Sequence, residues 1–183
     1  PAARRYFPPV ELRSEGFVSG YVVPALRADA AGTLCVAGRC RTLDGAPAYH
    51  DHNWGVWRDV TWEWGMARGA SLDLLYGGVR REDEAADRST APFFLALTDS
   101  LGVRQVLRFR QIAFAGQRPA GGAGGSAPER FTLVAARDAD TVRLAVEVLS
   151  AQASRTGAAG MSRRFLQLRG RFRLEGRVAG VPV

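Results

Sequence analysis

The sequence predicts an all-β, antiparallel fold. Apolar and polar residues alternate with period two over most of the chain, the pattern of half-buried strands. Short turn signals punctuate that alternation: Asp44-Gly45, Arg68-Gly69, Leu101-Gly102 and residues 138–140. No helical pattern longer than three turns interrupts it.

The first strand signals fall at residues 17–25, 32–36 and 39–43. If Ala37-Gly38 is a two-residue hairpin turn, Cys35 and Cys40 face each other and a disulfide is geometrically allowed. The simpler reading, two small buried apolar side chains, is the expectation. Further strands are expected at 60–66, 72–80, 93–98, 103–114 and 131–136. Residues 82–91 read as a polar loop. Residues 118–129, rich in Gly and Ala, read as a flexible hairpin connection between strands of the same character. The clearest alternation comes last. Val142, Leu144, Val146 and Val148 alternate with Thr141, Arg143 and Glu147. From 165 to 178, Leu166, Leu168, Phe172, Leu174 and Val178 take one face; Gln167, Arg169, Arg171, Arg173, Glu175 and Arg177 take the other. About ten short strands at this spacing form a sandwich or a barrel.

The 183 residues suit one domain with a sizeable core, and 46 % apolar against 23 % charged residues is ordinary globular composition. No apolar run approaches the roughly 20 residues of a transmembrane helix. The net charge of +7 invites a polyanion partner. Against that, every basic residue is Arg, which with the Ala and Gly content reads as GC-rich codon usage. The Arg are also scattered among acids, and no nucleic-acid motif accompanies them. The abrupt opening at Pro1-Ala2-Ala3-Arg4-Arg5 and the stop at Val183 suggest a piece of a longer polypeptide.

Chemistry-bearing residues concentrate between Tyr49 and Tyr76. Tyr49-His50-Asp51-His52-Asn53-Trp54-Gly55 holds both histidines, and Trp54, Trp57, Trp62 and Trp64 are all the tryptophans of the chain. If 49–54 is extended, His50, His52 and Trp54 share one face, and Tyr49, Asp51 and Asn53 the other. A metal site would need a third ligand from Glu63 or Asp73, which the spacing does not demand; no metal and no cofactor is expected. A buried polar network is a second reading. The third, preferred for the cluster as a whole, is a site in which a histidine titrates near neutrality beside an aromatic wall.

The stretch Asp44-Gly45-Ala46-Pro47-Ala48-Tyr49-His50-Asp51-His52-Asn53-Trp54-Gly55 resembles the signature of the lipocalin-like superfamily of carotenoid 1,2-hydratases (hydroxyneurosporene synthases) and AttH-like proteins. Val60-Thr61-Trp62-Glu63-Trp64-Gly65 and Leu74-Leu75-Tyr76-Gly77 continue it in order, over roughly half the chain. The resemblance implies an antiparallel lipocalin-like β-barrel, one of two in a longer protein, with a hydrophobic ligand of isoprenoid or polyene type. It implies a hydratase or cyclase of secondary metabolism, without cofactor. The compartment stays open, with cytoplasmic or membrane-peripheral preferred to secreted. Such hydration begins with protonation of a C=C bond by a carboxylic acid kept neutral in an apolar pocket. On this reading His52, Asp51 and Tyr76 are catalytic, and Trp54, His50, Tyr49, Trp62 and Trp64 bind substrate. Asn53 and Gly55 hold the strand.

One position departs from the family pattern. The acid expected two residues after Tyr76 is Gly78 here. Asp51, Glu63 and Asp73 are the substitutes, and in regular strands all three are expected to face away from His52, Trp54 and Tyr76. Two alternatives follow: a non-catalytic carrier of a hydrophobic ligand, or a half-domain whose cavity needs its partner barrel.

Overall fold

The computed structural model describes residues 7–14, 17–55, 60–81, 93–157 and 163–183. The opening residues 1–5, Trp57 and the expected loop at 82–91 lie outside them. Every element among the described residues is a strand, and apart from one short parallel pair every pairing is antiparallel. No closed barrel forms among the described residues, and no helix there is long and apolar enough to cross a membrane. The chain divides into two compact units at Val106/Leu107, inside a strand.

The first unit contains β1 (Phe7–Ser14), β2 (Phe17–Ala30), β3 (Thr33–Val36), β4 (Arg39–Thr42), β5 (Ala46–Trp54), β6 (Val60–Arg68), β7 (Asp73–Arg81), β8 (Phe94–Asp99) and the start of β9 (Gly102–Ala115). β1, β2 and β5 form one sheet, with β2 central. Pro8 and Pro9 sit on its edge strand, and the ladder to β2 is interrupted there, between Phe7 and Val10. β6, β7 and β8 run as an antiparallel meander. Between these sheets lies a core of Tyr21, Val23, Leu26, Leu75, Phe94 and Ala96, with Tyr49, Trp64, Met66 and Val106 packed against it. Inward residues of β2 switch from odd (Tyr21, Val23) to even (Leu26). A one-residue register shift against β5 between Val22 and Ala25 accounts for the switch, since an extra residue inverts the phase; a second shift follows between Ala25 and Ala28.

β3 and β4 form a separate hairpin. Ala37 and Gly38 have φ of 50° and 76°, the left-handed pair of a type I′ turn. The expectation of two buried, unpaired cysteines is corrected here. Cys35 and Cys40 are exposed, face each other across the strands and are disulfide-bonded. The projecting hairpin has no core to bury them in.

The second unit continues β9 and adds β10 (Arg118–Pro119), β11 (Gly121–Gly122), β12 (Ser126–Ala127), β13 (Arg130–Arg137), β14 (Asp140–Thr156), β15 (Arg163–Val178) and β16 (Val181–Pro182). β13 pairs with β9 and β14, and β15 with β14 and β16. The alternation expected for β14 and β15 holds, with Val142, Leu144 and Val178 buried and Arg169, Arg171, Arg173 and Arg177 exposed. A bulge between Val148 and Ser150 inverts the later part of β14. It turns Ala151 and Ala153 onto the face of Leu166 and Leu168. Segment 118–129 covers this small apolar patch with Ala120 and Ala127. It does so by pairing β10 with β12 and laying β11 parallel to β14. Arg118 donates to the Val148 carbonyl, and Arg164 to those of Gly124 and Ser126.

Three aromatic side chains of the first unit lie against glycines. A Cβ on Gly65 would sit 2.2 Å from Tyr76 Cε1, one on Gly78 2.2 Å from Phe93 Cδ1 and one on Gly77 2.5 Å from Trp64 Cε3, all inside contact distance. Gly78→Ala is expected to lose about 1–3 kcal/mol by overpacking. The loss in the double variant with Phe93→Ala should fall short of the sum of the singles, because the two share one space. Denaturant melts of the three variants check this; strict additivity would contradict the packing.

Candidate functional site

The register of β6 on β7 sorts the candidate residues between two faces of one sheet. Trp64 pairs with Gly77 and Met66 with Leu75, on the face toward β2 and β5. Glu63 pairs with Gly78 and Gly65 with Tyr76, on the opposite face. Tyr76 is therefore across the sheet from Trp64. The sheet is buried on both sides: Leu74, Leu95 and Leu97 on the Tyr76 side are as buried as Leu75 and Ala96 on the other.

On the Trp64 side an aromatic wall forms. Tyr21 and Trp64 meet edge to face with centroids 4.8 Å apart. Phe94 stacks on Tyr21 at 6.4 Å and meets Trp64 edge-on at 6.1 Å. A row of hydrogen bonds runs along this wall. The Trp64 indole Nε1 donates to the Tyr49 hydroxyl at 2.9 Å, and that hydroxyl donates to Asp51 Oδ2 at 3.2 Å. Burial pushes the Tyr49 phenol well above its ordinary pKa, against the Trp64 hydrogen bond and with the Asp51 charge. It therefore remains a neutral donor at physiological pH. Burial also raises the phenol of Tyr21.

β5 presents the two faces its alternation predicts. Tyr49 and Asp51 turn toward the core, and His50 and His52 are exposed. Asn53, opposite Tyr21 on β2, is exposed near the strand end. His52 and Trp54 stack on the outer face with centroids 5.9 Å apart and planes at 26°. Gly55, with φ of 98°, sits so close to Ser19 that a Cβ would overlap it. The strand thus needs glycine where it turns away. Trp62 is 43 % exposed. The described structure brings together Tyr49, Asp51 and Trp64, and separately His52 and Trp54; it does not bring Tyr76 to either group.

The three substitute acids have different fates. Asp73, 1 % exposed, is held by Arg27 Nη2 at 2.5 Å. That guanidinium reaches from β2 to β7 and also donates to the Gly69 carbonyl. Asp51 joins the Tyr49–Trp64 row. The expectation that Glu63 faces away from Tyr76 is corrected. Cross-strand register places both on one face, and after burial the Glu63 charge is the second cause that raises the Tyr76 phenol. The space at Gly78 is filled by Phe93. Among the described residues no three His, Cys, Asp or Glu side chains come close enough to hold a metal ion. Tyr21, Phe94 and Arg27 belong to this site and were not singled out by motif. Their signal was only inward alternation on strands.

Comparison with known proteins finds no matching family model, curated protein or solved structure.

Tyr49→Phe removes the acceptor of the Trp64 N–H and is expected to lower stability by about 1–3 kcal/mol. His52→Ala, on the exposed face, should stay within about 0.5 kcal/mol. Chemical denaturation monitored by tryptophan emission measures both.

Proposed function

We propose that the chain is the lipocalin-like part of a cofactor-independent hydratase or cyclase, similar to the carotenoid 1,2-hydratases, acting on an isoprenoid, polyene or comparable hydrophobic small molecule. In this reading the strands belong to a lipocalin-like barrel, accompanied by a second lipocalin-like domain of a longer chain. The observation that carries it is the Asp51–Tyr49–Trp64 row along the aromatic wall of Tyr21 and Phe94. A carboxyl group, a phenol that stays protonated and electron-rich ring faces are the set that alkene protonation requires.

The proposed ligand lies against the half-buried Tyr49 and Trp64. In the proposed step Asp51 relays a proton from a solvent hydronium ion to one alkene carbon, and a tertiary cation forms at the other. The ring faces stabilise that cation by cation–π attraction. Water adds to it, and the proton released returns through Asp51 to solvent, so the net change is addition of one water across the double bond. Tyr49 holds the Asp51 oxygen through its hydroxyl and hands orientation on from Trp64. The acid role thus moves from the resemblance's position at Gly78 to β5. His52 and Trp54, stacked on the other face, support the strand.

A carrier without chemistry is the second reading. It is favoured by the Phe93 ring that occupies the place of the family's acid.

The test is incubation of the purified protein with an acyclic polyene in detergent, with mass spectrometry for the water adduct. Asp51→Asn is expected to lower turnover by about 100-fold or more, and Tyr49→Phe by less. Turnover unchanged in Asp51→Asn overturns the assignment of the acid. Tight binding with no adduct from the unmodified protein replaces the enzyme by the carrier.

A further inference from the structure

The β3–β4 hairpin stands outside both cores. Every residue from 31 to 42 is exposed. Among the described residues these two four-residue strands have no third strand and no apolar cover, and such a pair is marginal in water. Yet this hairpin is fixed at both ends. The Cys35–Cys40 disulfide closes it near the tip. At the base, Leu43 N donates to Gly32 O, Gly45 N to Ala30 O and Gly32 N to Asp44 Oδ1. A rigid projection that adds nothing to the core is built to present a surface.

The pairing defines that surface. Thr33, Cys35, Cys40 and Thr42 lie on one face, and Leu34, Val36, Arg39 and Arg41 on the other. Leu34 is 53 % and Val36 64 % exposed. Each apolar residue has an arginine directly across the hairpin: Leu34 opposite Arg41, and Val36 opposite Arg39. No acidic residue occurs from 31 to 43. Apolar side chains at a tip, flanked by long cationic side chains, match the headgroup boundary of a bilayer, where aliphatic groups sink and guanidinium groups bind phosphate. The chain's charge of +7 adds long-range attraction to an anionic surface.

We propose that the stapled β3–β4 hairpin docks the protein on an anionic lipid bilayer. Leu34 and Val36 insert among the headgroups, and Arg39 and Arg41 pair with lipid phosphates. The proposal does not depend on the catalytic reading.

The test is co-sedimentation of the full chain with vesicles of phosphatidylcholine alone and of phosphatidylcholine mixed with phosphatidylglycerol. The protein is expected to bind the mixed vesicles, to bind the neutral ones weakly, and to release as salt rises. Exchanging both arginines (R39Q/R41Q) should lower the partition coefficient by about 25-fold, about fivefold for each. L34S/V36S should lower it by about tenfold. Both changes are on exposed side chains, and unchanged thermal unfolding confirms the fold. The proposal is overturned if the unmodified protein fails to sediment with mixed vesicles. It is equally overturned if both variants sediment like the unmodified protein, since other arginines then carry the binding. Loss of self-association in L34S/V36S with no change on vesicles would replace the lipid by a second copy of the chain.

Discussion

The two faces of the β6–β7 pair, sorted by its register, are packed by aromatic side chains against glycines. Trp64 covers Gly77 across the pair, Tyr76 covers Gly65, and Phe93 covers Gly78. Each ring needs a neighbour without a side chain. With bulkier residues at those positions the rings would stand up from the sheet, and neither face could be packed as closely. Because Trp64 lies down toward β2 and β5, its indole N–H reaches Tyr49, and the wall with Tyr21 and Phe94 closes. Because Tyr76 lies down on the other face, it is separated from that wall by the thickness of a sheet.

Asp51 and Glu63 are therefore not interchangeable. Asp51 shares its environment with a phenol and an indole, aligned by hydrogen bonds. Glu63 shares a face with Tyr76 and with the filled position at Gly78. Asp73 is bound to Arg27, a tie between the sheets of the first unit, as is the bond from Arg68 to the Ala48 carbonyl. One carboxylate stands beside the wall and another holds the sheets on each other, so the proposed chemistry rests on Asp51.

Much of this architecture was legible in the sequence, because alternation reports directly on strands. The strands β6 to β9, β13 and β15 were each expected within a few residues, whereas β14 was expected only over 141–148 and runs on to Thr156 past its bulge. The split of β5, with His50 and His52 opposite Tyr49 and Asp51, followed from period two alone. Three things were not legible. Which face of β5 looks inward depends on the sheet packed against it, and no single strand encodes that. The common face of Glu63 and Tyr76 depends on the register across the hairpin from Arg68 to Asp73, which sets odd residues opposite even ones. The phase change in β2 depends on bulges that leave no local mark, and β1 was not among the expected strands. The cysteines were misjudged for a related reason. Small apolar side chains are usually buried, but this hairpin projects, and exposed facing cysteines bond instead.

The arrangement of Trp64 and Trp54 on opposite sides of the working strand is the central claim, and indole N–H resonances of ¹⁵N-tryptophan-labelled protein test it most directly. With signals assigned by Trp64→Phe and Trp54→Phe, deuterium exchange would be followed before and after addition of a soluble polyene. The account predicts that the Trp64 N–H, bonded to Tyr49 on the aromatic wall, exchanges slowly and shifts when the polyene binds, while Trp54 stays unmoved. A Trp64 signal that exchanges freely and ignores the ligand, with the shift appearing at Trp54, would contradict it and return the site to the His52 face.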